Sequence, residues 1–213
     1  MEITWYGHSC FRLRDKNISI ITDPYPPDTG YSLPRLQADV VTISHDHANH
    51  AYVAGVKGKP RVLNGPGEYE IGGVFITGIP TYHDNKKGSD RGKNTAFLFE
   101  FNGLSICHLG DLGHIPTQSQ AETLSQVDVL LIPVGGVTTI NAAQAAEVVS
   151  LLEPRLAIPM HYKTPALSTK LAPVSKFLKA MGLGKLSEQE SLKITTSTLP
   201  EETQVVLLSY KQA

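Results

Sequence analysis

Ser44-His45-Asp46-His47-Ala48-Asn49-His50 holds three of the eight histidines in a chain of 213 residues. Neutral imidazole is the commonest side-chain metal ligand. His45 and His47 are two apart and share a face of an extended chain. His47 and His50 are three apart and share a face of a helical turn. A strand running into a helix here would aim all three at one point, with Asp46 directed away. The preceding run Val40-Val41-Thr42-Ile43 reads as a buried strand. The histidines therefore sit past a strand's carboxyl end, where α/β folds build their active sites.

The same arrangement recurs further along. His83 follows the strand-like stretch from Val74 to Pro80. Asp111 follows Leu104 to Gly110, and His161 follows Leu156 to Pro159. Four strand ends thus supply five histidines and one carboxylate, a coherent metal site. Nitrogen and carboxylate donors without thiolates suit zinc first, and also manganese, iron or nickel. Six candidates exceed what one tetrahedral ion needs, so two ions sharing Asp111 is the natural count. Two ions generate a hydroxide at neutral pH and polarise a scissile group.

Around these residues the chain alternates strands and helices. Ile3 to Tyr6, Cys10 to Arg14 and Ile18 to Thr22 read as strands, and Asp23 to Gly30, with three prolines, as a loop. Arg61 to Leu63 reads as a strand. Thr95 to Phe101 alternates, with Phe97, Phe99 and Phe101 on one face, and Asn102-Gly103 then signals a hairpin into Leu104 to Leu109. Val127 to Pro133 is a further strand. Asn141 caps a helix to Leu152, with Gln144 completing a capping box and Ala145, Val148, Val149 and Leu152 on one face. Val174 to Met181 reads as a helix closed by Gly182. Leu192 to Thr196 and Val205 to Tyr210 read as closing strands. The pattern predicts an α/β fold, and no linker divides residues 1–213, so a single domain is expected.

Composition narrows the function. Hydrophobic residues are 41%, charged residues 18% and the formal net charge is −1, ordinary for a globular protein. No basic excess points to nucleic acid. Lys86, Lys87, Arg91 and Lys93 form the nearest basic stretch, read as a solvated loop, with a phosphate-attracting rim as the alternative. No apolar run approaches the roughly 20 residues that span a bilayer. The N-terminus reads as a strand and not a signal peptide, so the cytoplasm is the expected location. Cys10 and Cys107 lie in apolar runs and read as buried thiols. The expected partner is a small-molecule substrate; oligomeric state is left open.

The heptapeptide resembles the His-x-His-x-Asp-His signature of the metallo-β-lactamase superfamily. Thr4-Trp5-Tyr6-Gly7-His8-Ser9-Cys10-Phe11, Ile21-Thr22-Asp23-Pro24, Gly65-Pro66-Gly67-Glu68-Tyr69, His108-Leu109-Gly110-Asp111 and Pro159-Met160-His161-Tyr162 are similar to the bacterial branch that includes ascorbate-6-phosphate lactonase. The resemblance implies a four-layer αββα sandwich. It implies a first ion on His45, His47 and His83, a second on His50 and His161, and Asp111 bridging. It implies a metal-dependent hydrolase that directs a metal-bound hydroxide at an ester, a lactone or a phosphorylated small molecule.

Asn49 departs from that signature, standing where it has aspartate. An amide is neutral and a weaker ligand than a carboxylate, though its oxygen keeps it among the candidates for the metal and the catalytic machinery. The alternative reading is accordingly a weakly active or non-catalytic metal-binding relative, and a second is a nuclease or phosphodiesterase of the same fold. His8 is a candidate for orienting or binding substrate, with a structural histidine as the alternative. His114 is a candidate proton donor to the leaving group. Asp23 is a candidate for orienting an imidazole. Gly135-Gly136 suggests a backbone approach to substrate. Specificity is expected from the loops Tyr25 to Leu36 and Asp84 to Lys93.

Overall fold

Alternation along short strands decides the layering. In Ser19–Thr22 and Val40–Thr42, Ile20 and Val40 enter one core while Ile21 and Val41 enter another. Neighbouring side chains on a strand point to opposite faces, so such a sheet must be covered on both sides. The computed structural model describes residues 1–124, 127–167 and 169–213 and contains two large sheets. The first runs Leu192–Lys193, Glu2–Trp5, Phe11–Arg14, Ser19–Thr22, Val40–Thr42, Arg61–Leu63. The second runs Gln204–Val205, Leu156–Met160, Val129–Pro133, Leu104–His108, Lys93–Phe101, Val74–Tyr82, Gly67–Ile71.

The larger core lies between them, with Ile3, Trp5 and Phe11 from the first sheet and Phe97, Phe99 and Ile106 from the second. Leu156–Met160 and Val129–Pro133 are buried at every residue. Helix α1 is Gln118–Thr123, α2 Ala142–Leu152 and α3 Val174–Ala180. α2 packs on Val129–Pro133, and α3 packs on α2. The outer face of the first sheet is covered differently. Tyr25, Tyr31, Leu36 and Val56 close over Tyr6, Cys10, Ile21 and Val41. That layer comes from loop and single-turn segments, including the 3-10 turns Pro27–Thr29 and Val53–Gly55. The result is the expected sandwich with few helices. Among the described residues no helix is long and apolar enough to cross a membrane.

Hydrogen-bond register sets strand direction. Ser19–Thr22, Val40–Thr42 and Arg61–Leu63 are parallel, and Glu2–Trp5, two antiparallel steps away, runs with them. Leu104–His108, Val129–Pro133 and Leu156–Met160 are parallel, and Val74–Tyr82 runs with them for the same reason. Each sheet therefore presents these carboxyl ends along one edge. Three contacts sew the two edges together. Thr95 N–H donates to the Ser44 carbonyl at 2.8 Å, His161 N–H to the His8 carbonyl at 3.1 Å, and the His108 ring reaches the Ser9 carbonyl at 2.8 Å.

Most expected elements form where the pattern put them. Asn141 and Gln144 make the reciprocal capping box of α2, and its four apolar residues are buried. Asn102 and Gly103 both take positive φ, 43° and 87°, which suits the twist of a two-residue hairpin. Both thiols are buried and free. Four readings differ. Gly67–Ile71 is an additional edge strand, masked by its glycine and by two exposed glutamates. α1 is additional, capped by Thr117 and Gln120, and buries no side chain, so it lacks an apolar stripe. The expected strand from Val205 to Tyr210 divides, Gln204–Val205 pairing with the strand from Leu156 and Leu207–Leu208 with Glu188–Gln189. No helix follows His47: the chain makes one turn, His50 N–H to the His47 carbonyl, and Pro24 then captures the Tyr52 N–H at 2.8 Å.

Phe99 is fully buried between the sheets, whereas Phe75 is 55% exposed. Phe99→Ala should destabilise the protein by about 3–5 kcal/mol, and Phe75→Ala by no more than about 0.5 kcal/mol. Urea unfolding of the two variants reads the difference as shifts in midpoint.

Candidate metal centre

The joined edges bring the candidate residues to one place. His8 follows Glu2–Trp5, Asp23 follows Ser19–Thr22, and His45 to His50 follow Val40–Thr42. His83 follows Val74–Tyr82, Asp111 follows Leu104–His108 and His161 follows Leu156–Met160. Asp111 lies at the middle and is 2% exposed. Its Oδ2 is 3.3 Å from His161 Nε2, 3.4 Å from His50 Nε2, 3.4 Å from His83 Nε2 and 4.0 Å from His45 Nε2. Ring-nitrogen ligand atoms fall into two compact groups, His45, His47 and His83 in one and His8, His50 and His161 in the other, each within 4.8 Å. His47 is the exposed member, and Asp46 faces solvent as expected.

Asp23 organises one side of this cluster. Its Oδ1 accepts the Ser44 N–H at 2.8 Å, and its Oδ2 accepts the Ser44 hydroxyl at 2.6 Å and His50 Nδ1 at 2.9 Å. Ser44 Oγ, having donated to Asp23, accepts from His45 Nδ1 at 2.9 Å. Both imidazoles are thereby oriented with Nε2 toward Asp111, and neither Nε2 has a hydrogen-bond partner among the described residues. Buried polar atoms are nearly always satisfied within the protein, so orphaned nitrogens around a carboxylate fit a divalent cation. A carboxylate that orients ligating imidazoles is a familiar support for such an ion.

The charges agree with the geometry. Burial alone would push the Asp111 carboxyl up, but His161, His50 and His45 hold it well below the usual carboxylate range. Burial likewise works against Asp23, and the His50 hydrogen bond with the nearby imidazoles keeps its pKa lowered. Burial depresses His8, His83 and His161, and His45 to about 3, leaving them neutral with a lone pair to offer. His50 goes the other way. Burial would lower it, but Asp111 and Asp23 raise it to about 10.

Several supports went unread in the sequence. Asn94 accepts the Asp111 N–H at 2.9 Å and donates to the Leu109 carbonyl at 3.0 Å, fixing the chain around Asp111. A buried asparagine in a strand rich in phenylalanine, where asparagine is disfavoured, was the available signal. Gly110 has φ +58°, and a Cβ there would stand 2.5 Å from both the Asn94 Oδ1 and the Ser44 Cβ. Gly135 is held by packing as well. Its lack of a Cβ admits the His161 carbonyl, which would lie 2.1 Å from one.

A cavity of about 100 Å³ opens onto this cluster. That is room for a reacting group and a few waters, at about 30 Å³ each. His8, Asn49, Arg91 and Thr138 are among its lining residues. A groove of about 590 Å³ beside Arg14 and Lys193 carries none of the candidate ligands. The loop 84–92 is held by Asp84, whose carboxylate accepts the N–H groups of Lys86, Gly88, Asp90 and Arg91 at 2.8–3.0 Å. Lys86 pairs with Asp90 at 2.8 Å, so Arg91 is the cation this loop brings to the cavity. The loop Tyr25 to Leu36 does not line it and instead builds the outer apolar layer, a correction explained by its buried tyrosines.

His114 is not brought to the cluster. Its Nε2 accepts the Tyr82 N–H at 3.2 Å and its Nδ1 donates to the Ile115 carbonyl at 2.8 Å. Both nitrogens are engaged by backbone, which leaves none to carry a proton to a leaving group. Asn49 is half-buried, and its amide lies 2.9 Å from His8 Nε2.

Two mixed sheets closed over a His/Asp cluster at one edge define a metallo-β-lactamase fold. The profile of the beta-lactamase superfamily domain matches residues 2–161. A UPF0173 protein of Pyrococcus abyssi is 30% identical, the match covering 77% of this chain and 84% of its own. The UPF0173 metal-dependent hydrolase of Methanoculleus marisnigri is 29% identical over 91% and 97% of the two chains. A solved metallo-β-lactamase superfamily protein of Thermotoga maritima superposes with a TM-score of 0.82 at 42% identity, covering 99% of each chain. The chain belongs to the UPF0173 metal-dependent hydrolase family within that superfamily.

In metal-free protein the raised pKa of His50 has a definite sign. The proton is held at neutral pH and favours the folded state below the unfolded value of about 6.5. That contribution declines as pH rises toward 10, so metal-free stability should fall over this window. Asp23→Asn should lower the His50 pKa. Imidazole NMR titration of metal-free protein measures both; a His50 that is neutral at pH 7 contradicts the expectation.

Proposed function

We propose that this chain is a binuclear metal hydrolase acting on a small, negatively charged ester, lactone or phosphorylated molecule. The observation that carries the reading is the convergence of four imidazole Nε2 atoms on one oxygen of Asp111. His45, His47 and His83 would hold one ion, His50 and His161 the other, with Asp111 between them. The donor set suits zinc, and manganese, iron or nickel are chemically compatible. Bound ions of this kind lower the pKa of water and polarise the scissile group.

The chain's own residues supply the rest. Asp23 holds His50 directly and His45 through Ser44, so neither ring can rotate away. The 100 Å³ cavity gives the reacting portion of a substrate a place beside the cluster. Arg91, anchored by the Asp84 loop, lines that cavity and offers two parallel donors to a carboxylate or phosphate. The anionic substrate class rests on this guanidinium. Leu167 and Leu171 add an apolar patch to the same cavity.

Two expectations test the reading. Protein purified without added metal should contain about two ions per chain and hydrolyse at least one of an activated ester, a lactone and a phosphodiester. No metal after reconstitution, or a metal-loaded protein inert on all three, overturns it. Arg91→Ala should raise KM for an anionic substrate roughly ten- to a hundredfold, the loss of a charged hydrogen bond, with kcat little changed. An equal rise for a neutral analogue would remove Arg91 as the anion site.

A further inference from the structure

His8 has no role in the ligand set above, yet it is bound into the centre more tightly than a neighbouring residue needs to be. It is 5% exposed. Its ring stands 4.5 Å, centroid to centroid, from both His50 and His161, edge-on to the first. Its ligand atom lies within 4.8 Å of theirs, and all three residues are buried. Three buried imidazoles converging this closely, beside a carboxylate that two of them face, are the donor set of an ion.

The backbone is committed to this placement. His8 takes φ +51° and His161 φ +53°, conformations that residues other than glycine seldom adopt. The His8 carbonyl accepts both the Trp5 indole N–H and the His161 N–H at 3.1 Å, so the two histidines are fixed to one another. Strained conformations held by several contacts cluster at functional sites. The side chain is left uncommitted. Among the described residues, its Nδ1 has only Ser9 Oγ at 3.5 Å, and its Nε2 has the Asn49 amide at 2.9 Å. A hydroxyl and an amide can each donate or accept, the amide by turning over. The Ser9 hydroxyl also donates to Asp111 Oδ1 at 3.5 Å, so it accepts from His8 Nδ1 and leaves the lone pair on Nε2, and neither neighbour brings a charge.

We propose that His8 is a protein ligand of the second ion, completing a set of His8, His50 and His161 with Asp111, and that Asn49, which stands beside His8 Nε2, is not itself a ligand. The inference rests on the two-ion reading. It makes the second position an imidazole site, suited to a borderline first-row ion and poorly suited to magnesium or calcium.

Metal counting on purified protein tests this, with cobalt(II) as the probe for affinity. The wild type should take up two ions. His8→Ala and the more conservative His8→Gln should keep one with unchanged affinity and bind the other at least tenfold more weakly. Adding Asn49→Asp to His8→Ala should restore the second ion, because a carboxylate would then stand beside the lost nitrogen. In cobalt-loaded wild type, the His8 ring protons should show large paramagnetic NMR shifts, a readout independent of any variant's folding. Two ions at wild-type affinity in both His8 variants, or unshifted His8 protons, overturns the assignment and leaves the two-ion reading standing. A wild type that binds no ion overturns both.

Discussion

A carboxylate removed from water needs compensation by charge or hydrogen bonds, or it does not stay ionised. Asp111 obtains it from imidazoles that arrive from both sheets, and its amide is held by Asn94 from the adjoining strand. That demand explains the shape of the molecule at this edge. Strands from both sheets must end in register with one another, the two edges must touch, and the turns after the strands must be tight. Asp23 repeats the theme one layer out, an ionised carboxylate kept by Ser44 and His50. The cluster is therefore two buried anions set among imidazoles, the inner one shared and the outer one aligning its neighbours.

Much of this was legible because periodicity and spacing are local. The alternation of Phe97, Phe99 and Phe101, the hairpin at Asn102-Gly103 and the capping box at Asn141 each depend on a few adjacent residues. The cluster was legible for a related reason: a polar ligand-type residue directly after an apolar strand marks the sheet edge, whichever sheet it belongs to. Other features were hidden because they are set by distant partners. Gly110 and Gly135 are required by Ser44, Asn94 and His161, all remote in sequence. His114 looks like a proton carrier from its place near Asp111, and only the capture of both nitrogens by backbone reveals otherwise. The loop Tyr25 to Leu36 looked like a surface loop because of its prolines, while its tyrosines were destined for a core.

Arg91 shows how support and recognition can be divided between neighbours. Asp84 has its carboxyl held at about 2 against burial by four backbone N–H groups, so it stays charged across any ordinary pH. Its task is to keep a nine-residue turn in one shape. Arg91 at the end of that turn is then free to face the cavity. The two basic residues before it, Lys86 and Lys87, point to water.

The last strands have a consequence for biosynthesis. Leu192–Lys193 pairs with Glu2–Ile3, and Gln204–Val205 pairs with the strand that leads to His161. Until those residues are made, Glu2–Trp5 and Leu156–Met160 lack their outer partners. A nascent chain carrying every residue of the cluster still exposes unpaired backbone along both sheets, the kind of edge that recruits other chains. A chain stalled soon after His161 therefore lacks an outer strand on each sheet although its cluster is complete in sequence.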